Sequence, residues 1–101
     1  MITSRFTPVD PSEVRVLTFD FTDGLAEGET VFSADVEITV EQGVDTLAST
    51  RFGNPDIQTP LVLIVVSGQI DGVDYHVKTI ATTTNSNKIL VLAKILPVRA
   101  K

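Results

Sequence analysis

Residues 31–40 read Val-Phe-Ser-Ala-Asp-Val-Glu-Ile-Thr-Val, and this stretch decides the class of fold. From Phe32 to Val40 an apolar side chain alternates with a polar one. Because neighbouring side chains of a β-strand point to opposite faces of a sheet, a period of two predicts a half-buried strand. We therefore expect Phe32, Val36 and Ile38 to face a core.

The same alternation occurs just before this stretch. Residues 15–21 place Leu17, Phe19 and Phe21 on one face of a second predicted strand. A turn signal and a polar connection at residues 22–30 separate the two strands. We therefore expect these strands to pair as a hairpin.

Four segments of the second half complete the strand pattern. Residues 61–66, Leu-Val-Leu-Ile-Val-Val, form a continuous apolar run that is typical of a central strand covered on both faces. Residues 75–83 alternate, and residues 89–96 follow a turn predicted at residues 84–87. A weaker segment at residues 46–52 is predicted to be a short edge strand. No segment has a helical period.

Roughly five to seven short strands separated by turn signals predict an all-β fold, an antiparallel immunoglobulin- or fibronectin-like β-sandwich. Tyr75 fits this class, because such sandwiches often hold a tyrosine near the start of the penultimate strand, with its hydroxyl bonded to nearby backbone. The alternative is an ordinary strand aromatic at a sheet end. The expected core consists of Leu17, Phe19, Phe21, Phe32, Val36, Ile38, Leu63, Val65, Tyr75, Val77, Val91 and Leu96.

The length of 101 residues corresponds to one domain. We expect an extended N-terminal arm at residues 1–12 and a single β-sandwich domain at residues 13–101. The chain has no cysteine, so its stability must come from packing without disulfides. No apolar run approaches the roughly 18 residues that a membrane helix needs, and residues 1–8 contain no apolar stretch of signal-peptide length. We therefore expect a soluble chain without membrane contact.

The predicted arm is too short and too rich in proline to form a core element alone, and proline biases it toward an extended shape. Apolar side chains on such an arm gain about 1.5 to 3 kcal/mol each when they are buried in a partner. We therefore predict that the arm reaches a neighbouring subunit. The alternative is that it packs along its own domain as an initial edge strand. The predicted partner contacts are Ile2, Phe6, Pro8 and Pro11.

Charge is distributed unevenly along the chain. The net charge of −5 disfavours binding to nucleic acid, which depends on clustered lysine and arginine. The first fifty residues hold ten acidic residues and two basic ones, whereas no acidic residue follows Asp74. Opposite charges on different faces would favour head-to-tail contacts that close into rings. The alternative is that the imbalance is solvated surface.

Few residues of the chain could carry chemistry. His76 is the only histidine and lies in mid-strand with an outward phase, so we expect no metal site and no catalytic residues. Asp71 and Asp74 flank a glycine, but a calcium ion needs about six to eight oxygen ligands, and a turn explains them better. Glu27 and Glu29 are interpreted in the same way, as solvated loop acids. We expect no cofactor.

Several stretches of the chain resemble small virion proteins of tailed bacteriophages, the fibre-tail adaptor proteins. The similarity covers both ends of the chain but not residues 46–60. The stretches that carry it are residues 6–14 (Phe-Thr-Pro-Val-Asp-Pro-Ser-Glu-Val), residues 17–21 (Leu-Thr-Phe-Asp-Phe) with Leu25, residues 72–77 (Gly-Val-Asp-Tyr-His-Val), residues 81–83 (Ala-Thr-Thr) and residues 96–99 (Leu-Pro-Val-Arg).

The resemblance implies a structural, non-enzymatic protein of the virion, present in many copies around the tail, neck or portal and bridging the tail to fibres. The partners it implies are other virion proteins of the tail, neck or portal and the fibre. One alternative is a capsid decoration or cement protein, for which a sandwich would serve equally well. Another is a carbohydrate-binding module, but such sites need exposed aromatic platforms, and the chain has no tryptophan and one tyrosine.

Overall fold

Among the residues that the structure describes, seven β-strands and two short 3₁₀ turns form the regular structure. A computed structural model describes residues 4–85 and 88–101. The 3₁₀ turns are Thr22–Gly24 and Ala48–Arg51. The predicted all-β class is confirmed, and no helix among the described residues is long and apolar enough to cross a membrane. The strands are β1 (Ser4–Arg5), β2 (Arg15–Asp20), β3 (Val31–Gln42), β4 (Asp56–Gln58), β5 (Leu61–Val66), β6 (Asp74–Thr83) and β7 (Ile89–Pro97).

The strands form two sheets that enclose one core. The first sheet has the order β1-β7-β6-β3, and the second has the order β2-β5-β4. All pairs are antiparallel except β1 with β7. Both sheets contribute buried side chains to the same apolar cluster, which makes the domain a β-sandwich. Its largest fully buried members are Leu17, Phe19, Ile64, Tyr75 and Leu96.

The predicted hairpin of β2 with β3 is wrong. β2 pairs with β5, and β3 pairs with β6 in the opposite sheet. The connection at residues 21–30 contains a 3₁₀ turn and carries the chain from one sheet to the other. A local alternation pattern identifies each strand but does not contain information about which distant strand it will pair with.

Phe32, predicted as core, lies on the surface with 72% of its area exposed. The cause is a β-bulge in β3, where Val31 pairs with Thr83 but Ser33 pairs with Thr82. A bulge inserts one extra residue into a strand. The alternation between inward and outward side chains is therefore shifted by one residue after the bulge. Val31 therefore takes the buried position, and Ala34 begins the inward-facing series that continues along the strand.

Three other predicted core positions need correction. β5 lies in the middle of the second sheet, but only one of its faces is buried. Val62, Ile64 and Val66 point into the core, so Val65 lies on the outer face, 44% exposed, and Leu63 is half-buried there. A continuous apolar run has no period from which the inward phase can be determined. In β7, Val91 is 49% exposed, because it lies opposite Ile80 on the outer face of the first sheet.

The segment at residues 46–52 is not a strand. It forms the 3₁₀ turn Ala48–Arg51, and the edge of the second sheet is β4 instead. Local hydrogen bonds stabilise the turn: the backbone N–H of Leu47 donates to the carboxylate of Asp45, and the hydroxyl of Thr50 donates to the carbonyl of Leu47. Such side-chain bonds compete with sheet pairing. Of the turn predicted at residues 84–87, Ser86 and Asn87 lie outside the described residues.

The described part of the N-terminal arm lies along its own domain. Ser4 pairs in parallel with Lys94, and the N–H of Phe6 donates to the carbonyl of Ile95 at 2.9 Å. Val9, within the predicted arm, is fully buried and belongs to the core cluster. The arm thus forms the initial edge strand that was the alternative to contact with a neighbour. Whether it also contacts a neighbouring subunit stays a prediction.

Candidate protein-binding faces

One exposed apolar cluster lies on the outer face of the first sheet, and we call it the front patch. The pairing of β6 with β7 sets Ile80 opposite Val91 and Thr82 opposite Ile89. Phe32 joins them, because it borders the same surface depression as Thr82. The members of the front patch are Phe32, Ile80, Ile89 and Val91.

The front patch has the composition of a protein contact surface. Phe32 is 72% exposed, and Ile89 is 64% exposed. Clustered exposed apolar side chains mark interaction sites on soluble domains, and exposed aromatic residues are enriched where interfaces are most tightly packed. The signal in the sequence was the pair Val31 and Phe32, two consecutive apolar residues that interrupt the alternation and indicate a bulge.

A second apolar cluster lies on the outer face of the other sheet, and we call it the back patch. Val16 of β2 pairs with Val65 of β5, and their side chains are 53% and 44% exposed. Leu63 adjoins them on the same face of β5, and Val14, two residues before Val16, is 71% exposed. Because the two sheets lie on opposite sides of the core, the front and back patches face away from each other.

A hydrogen-bond network joins the loops at one end of the sandwich. The hydroxyl of Tyr75 donates to Asp45 and accepts from the backbone N–H of Ile70, and Arg51 forms an ion pair with Asp45 at 3.1 Å. Hydrogen bonds from Arg51, and next from Tyr75, lower the pKa of Asp45 to about 2. Burial and then the hydrogen bond to Asp45 raise the pKa of Tyr75. This network gives β6 a defined start.

At the opposite end, Glu29 connects two loops close to the front patch. Its carboxylate accepts bonds from the hydroxyl of Thr83 and from the backbone N–H of Ala26, and it pairs with the ammonium of Lys88 at 2.7 Å. The hydrogen bond from Lys88 is the main reason that the pKa of Glu29 is lowered. The loop before β3 is thereby attached to the loop between β6 and β7. These contacts connect the segment that precedes Phe32 to the segment that precedes Ile89.

The two termini are held by acidic side chains of the same chain. The buried carboxylate of Asp74 pairs with Arg5 at 3.8 Å and with Arg99 at 2.8 Å. Glu13 pairs with Lys101 at 2.7 Å, which is the main cause of its pKa of about 2. Five basic residues follow Asp74 in the chain, namely Lys78, Lys88, Lys94, Arg99 and Lys101. Three of them, Lys88, Arg99 and Lys101, pair with acidic residues of the same domain. Much of the charge imbalance in the sequence is neutralised within one subunit.

The structure describes three of the four predicted contact residues. Ile2 lies outside the described residues, whereas Phe6 is half-buried and packs edge-to-face against Phe19 with ring centroids 5.6 Å apart. Pro8 is exposed and Pro11 is half-exposed, in the segment between β1 and β2. Phe6 thus packs partly against the core of its own domain, whereas Pro8 and Pro11 have exposed surface that a partner could contact.

The residues considered for chemistry lie apart from one another. His76 lies on the outer face of β6, between Thr39 and Ile95. Asp74 is paired with two arginines, and Asp71 accepts a bond from the backbone N–H of Ala100. Within residues 4–85 and 88–101, no group of three or more histidine or acidic side chains is placed to hold a metal ion.

Comparison with known proteins assigns the chain to a family. Residues 10–91 match the family model described as podophage GP4 fiber-tail adaptor protein gp77. The chain belongs to this adaptor family. It is a structural tail protein of a bacteriophage virion, as the resemblance in the sequence implied. No curated protein and no solved structure matches the chain.

The region shared with the adaptor family contains both apolar patches. The front patch extends from Phe32 to Val91, and the back patch from Val14 to Val65, all inside residues 10–91. The segment before Asp10 and the second half of β7 lie outside the match.

Proposed function

We propose that this chain bridges the phage tail to its fibres by using the front and back patches for two different partners. The proposal rests chiefly on one observation, the presence of exposed apolar clusters on opposite outer faces of one small sandwich. A bridging protein needs two separate surfaces, and here the core lies between them. The family description, which names a fiber-tail adaptor, supports a role between tail and fibres.

The energetics of the two patches favour permanent contacts. Covering an exposed Phe, Ile or Val side chain is worth about 1.5 to 3 kcal/mol for complete burial, and less for one that is already partly covered. Each patch offers several such side chains, and together they give it an apolar centre that a partner can cover. If several copies form a ring, the same contacts are repeated in each subunit, and the combined affinity for a partner with several binding sites increases.

Phage carrying substitutions in one patch at a time would test the proposal. One variant combines Phe32→Ser with Ile89→Thr, and the other combines Val16→Thr with Val65→Thr. All four side chains are exposed, so both variants should fold. We expect one variant to stay on the tail without fibres and the other to be missing from the tail. A control with Thr39→Ser and Thr46→Ser changes exposed residues outside the patches.

Composition of purified particles by mass spectrometry is the measurement. Loss of the same partner from both variants, or of neither partner from either, would contradict bridging through two faces. Copy number separates this role from capsid decoration, because a ring around the tail holds tens of copies and a capsid lattice holds hundreds.

We infer that the sandwich has immunoglobulin-like topology. The support is the strand order, in which β2, β5 and β4 form one sheet and β3, β6 and β7 belong to the other, as in the sandwiches of that class. A second support is Tyr75, one residue after the start of β6, whose hydroxyl accepts the N–H of Ile70 at 3.1 Å. This is the tyrosine corner expected for such domains.

We also propose that the role is structural rather than enzymatic and that several copies form a ring. The only histidine lies on an open sheet face, whereas catalytic groups require a supported concave site. A ring requires unlike surfaces of neighbouring copies to meet, and the exposed part of the arm around Pro8 and Pro11 is available for such a contact.

A further inference from the structure

We propose that the front patch docks a protein surface with an apolar centre and a basic rim, and that it rejects a second copy of this chain. The inference rests on the proposed bridging function and specifies the chemistry of one of its two partners. Its basis is the charge that surrounds the front patch.

Two exposed acidic side chains of β3 lie beside the front patch. Asp35 pairs in register with Ile80, on the same outer face, and Glu37 lies opposite Lys78. Both acidic residues are exposed, and within the described part of the chain neither forms an ion pair. The apolar centre of the face therefore has an acidic border on the β3 side.

The basic residues of the domain are largely engaged elsewhere. Among residues 4–85 and 88–101, six form ion pairs with acids of the same chain, and Lys94 lies over the ring of Phe6 at 4.8 Å from its centroid. Lys78 is the remaining basic residue of the described part of the chain. It lies on the same face as the front patch and forms neither an ion pair nor a ring contact. The six that form ion pairs are Arg5, Arg15, Arg51, Lys88, Arg99 and Lys101.

This distribution of charge selects among possible occupants of the face. A second copy of the chain would bring its own Asp35 and Glu37 toward the same acids, and like charges brought together in an interface disfavour association. Anionic lipid and nucleic acid are disfavoured for the same reason. A protein surface that carries lysine or arginine around an apolar centre can cover the front patch and also pair with Asp35 and Glu37.

Binding of synthetic peptides to the full chain would test this. The probe peptide has about ten residues, the length of a long strand, with lysine alternating with valine. One comparison peptide has glutamate in place of lysine, and another has serine in place of valine. We expect the lysine–valine peptide to bind about tenfold more tightly than either, a difference of about 1.4 kcal/mol. Its amide chemical-shift changes should map to the outer faces of β3, β6 and β7.

A pair of charge-matched variants separates a local effect from net charge. Asp35→Asn with Glu37→Gln removes the acidic border, and Asp56→Asn with Glu27→Gln removes the same two charges from exposed positions off the front patch. The first pair should weaken binding about fivefold or more, and the second should leave it within about twofold. Equal weakening by both pairs, or shift changes centred on the back patch, would overturn the proposal.

Sedimentation of the unmodified chain measures its self-association and so tests whether a second copy binds the front patch. Self-association that is lost with Phe32→Ser would show that a second copy covers the face, and would also overturn the proposal. These measurements use the isolated chain, whereas bridging is tested on particles. Failure of the lysine–valine peptide to bind would contradict the proposed basic partner, but it would not decide whether the chain bridges the tail to fibres.

Discussion

The hydroxyl of Tyr75 donates a hydrogen bond of 2.6 Å to Oδ2 of Asp45, a residue thirty positions earlier in the chain. The same oxygen of Tyr75 accepts the backbone N–H of Ile70, and the ring packs edge-to-face against Phe52 with centroids 5.5 Å apart. One side chain thus joins the loop after β3, the loop before β6 and the core. A network of this kind fixes the relative position of the two loops that extend beyond the paired ends of β3 and β6.

Tyr75→Phe should lower the free energy of unfolding by about 1 to 2 kcal/mol, because it keeps the ring but leaves Asp45 and the N–H of Ile70 without this partner. Denaturant melts give the value. Thr18→Val, which removes an exposed hydroxyl, is the control and should change stability by less than about 0.5 kcal/mol. Equal effects of the two substitutions would show that the network contributes nothing.

Stability should decrease as the pH falls from about 4.5 toward 2. Folding lowers the pKa of Asp10, Glu13 and Asp45 to about 2, from ordinary values of 3.8, 4.5 and 3.8. The unfolded chain therefore binds more protons in this range, and the stabilisation present above the unfolded pKa values is lost as the pH approaches the folded ones. Urea melts at a series of pH values measure this. Constant stability between pH 6 and 3 would contradict it.

The bulge in β3 predicts opposite outcomes for two phenylalanines. Phe19→Ala should cost about 3 to 5 kcal/mol, because Phe19 is fully buried. Phe32→Ala should cost less than about 1 kcal/mol, because most of its ring is already in water. Thermal melts of the two variants compare them directly. A loss at Phe32 as large as that at Phe19 would place Phe32 in the core and remove the front patch.

Deletion of residues 1–8 tests the arm. The shortened chain should stay folded, because Val9 and its bond to Pro97 remain, although it loses the contact of Phe6 with Phe19. Circular dichroism should show strand structure with a lower melting temperature, and particles should lack the shortened chain. If it instead unfolds, the arm serves only its own sheet.

The cysteine-free chain allows a second test of the arm. Ser4→Cys with Lys94→Cys places two thiols at paired strand positions, and no other cysteine competes. A disulfide within one subunit would lock the arm onto its own sheet, and assembly of the oxidised protein should then be reduced. Full assembly of the oxidised monomer would mean that the arm does not need to reach a neighbour.

The site was only partly predictable from the sequence, and the reasons differ by residue. Tyr75 is predictable because its place at the start of a predicted strand is a property of nearby residues. Phe32, Val65 and Val91 were expected in the core because apolar side chains in strands are usually buried, but each lies on an outer face. The pairing of late basic residues with Glu13, Glu29 and Asp74 joins positions far apart in the chain, and no local pattern contains it.

The sequence by itself determined the all-β class, the positions of β2, β3, β6 and β7, and the resemblance to the adaptor family, because alternation and short motifs are properties of neighbouring residues. Only the tertiary structure decided that β2 and β3 belong to different sheets, that β5 turns Val62 rather than Leu63 inward, and that a bulge exposes Phe32. The physical reason is that a strand buries whichever face its partners cover. Which partners those are depends on contacts between distant parts of the chain.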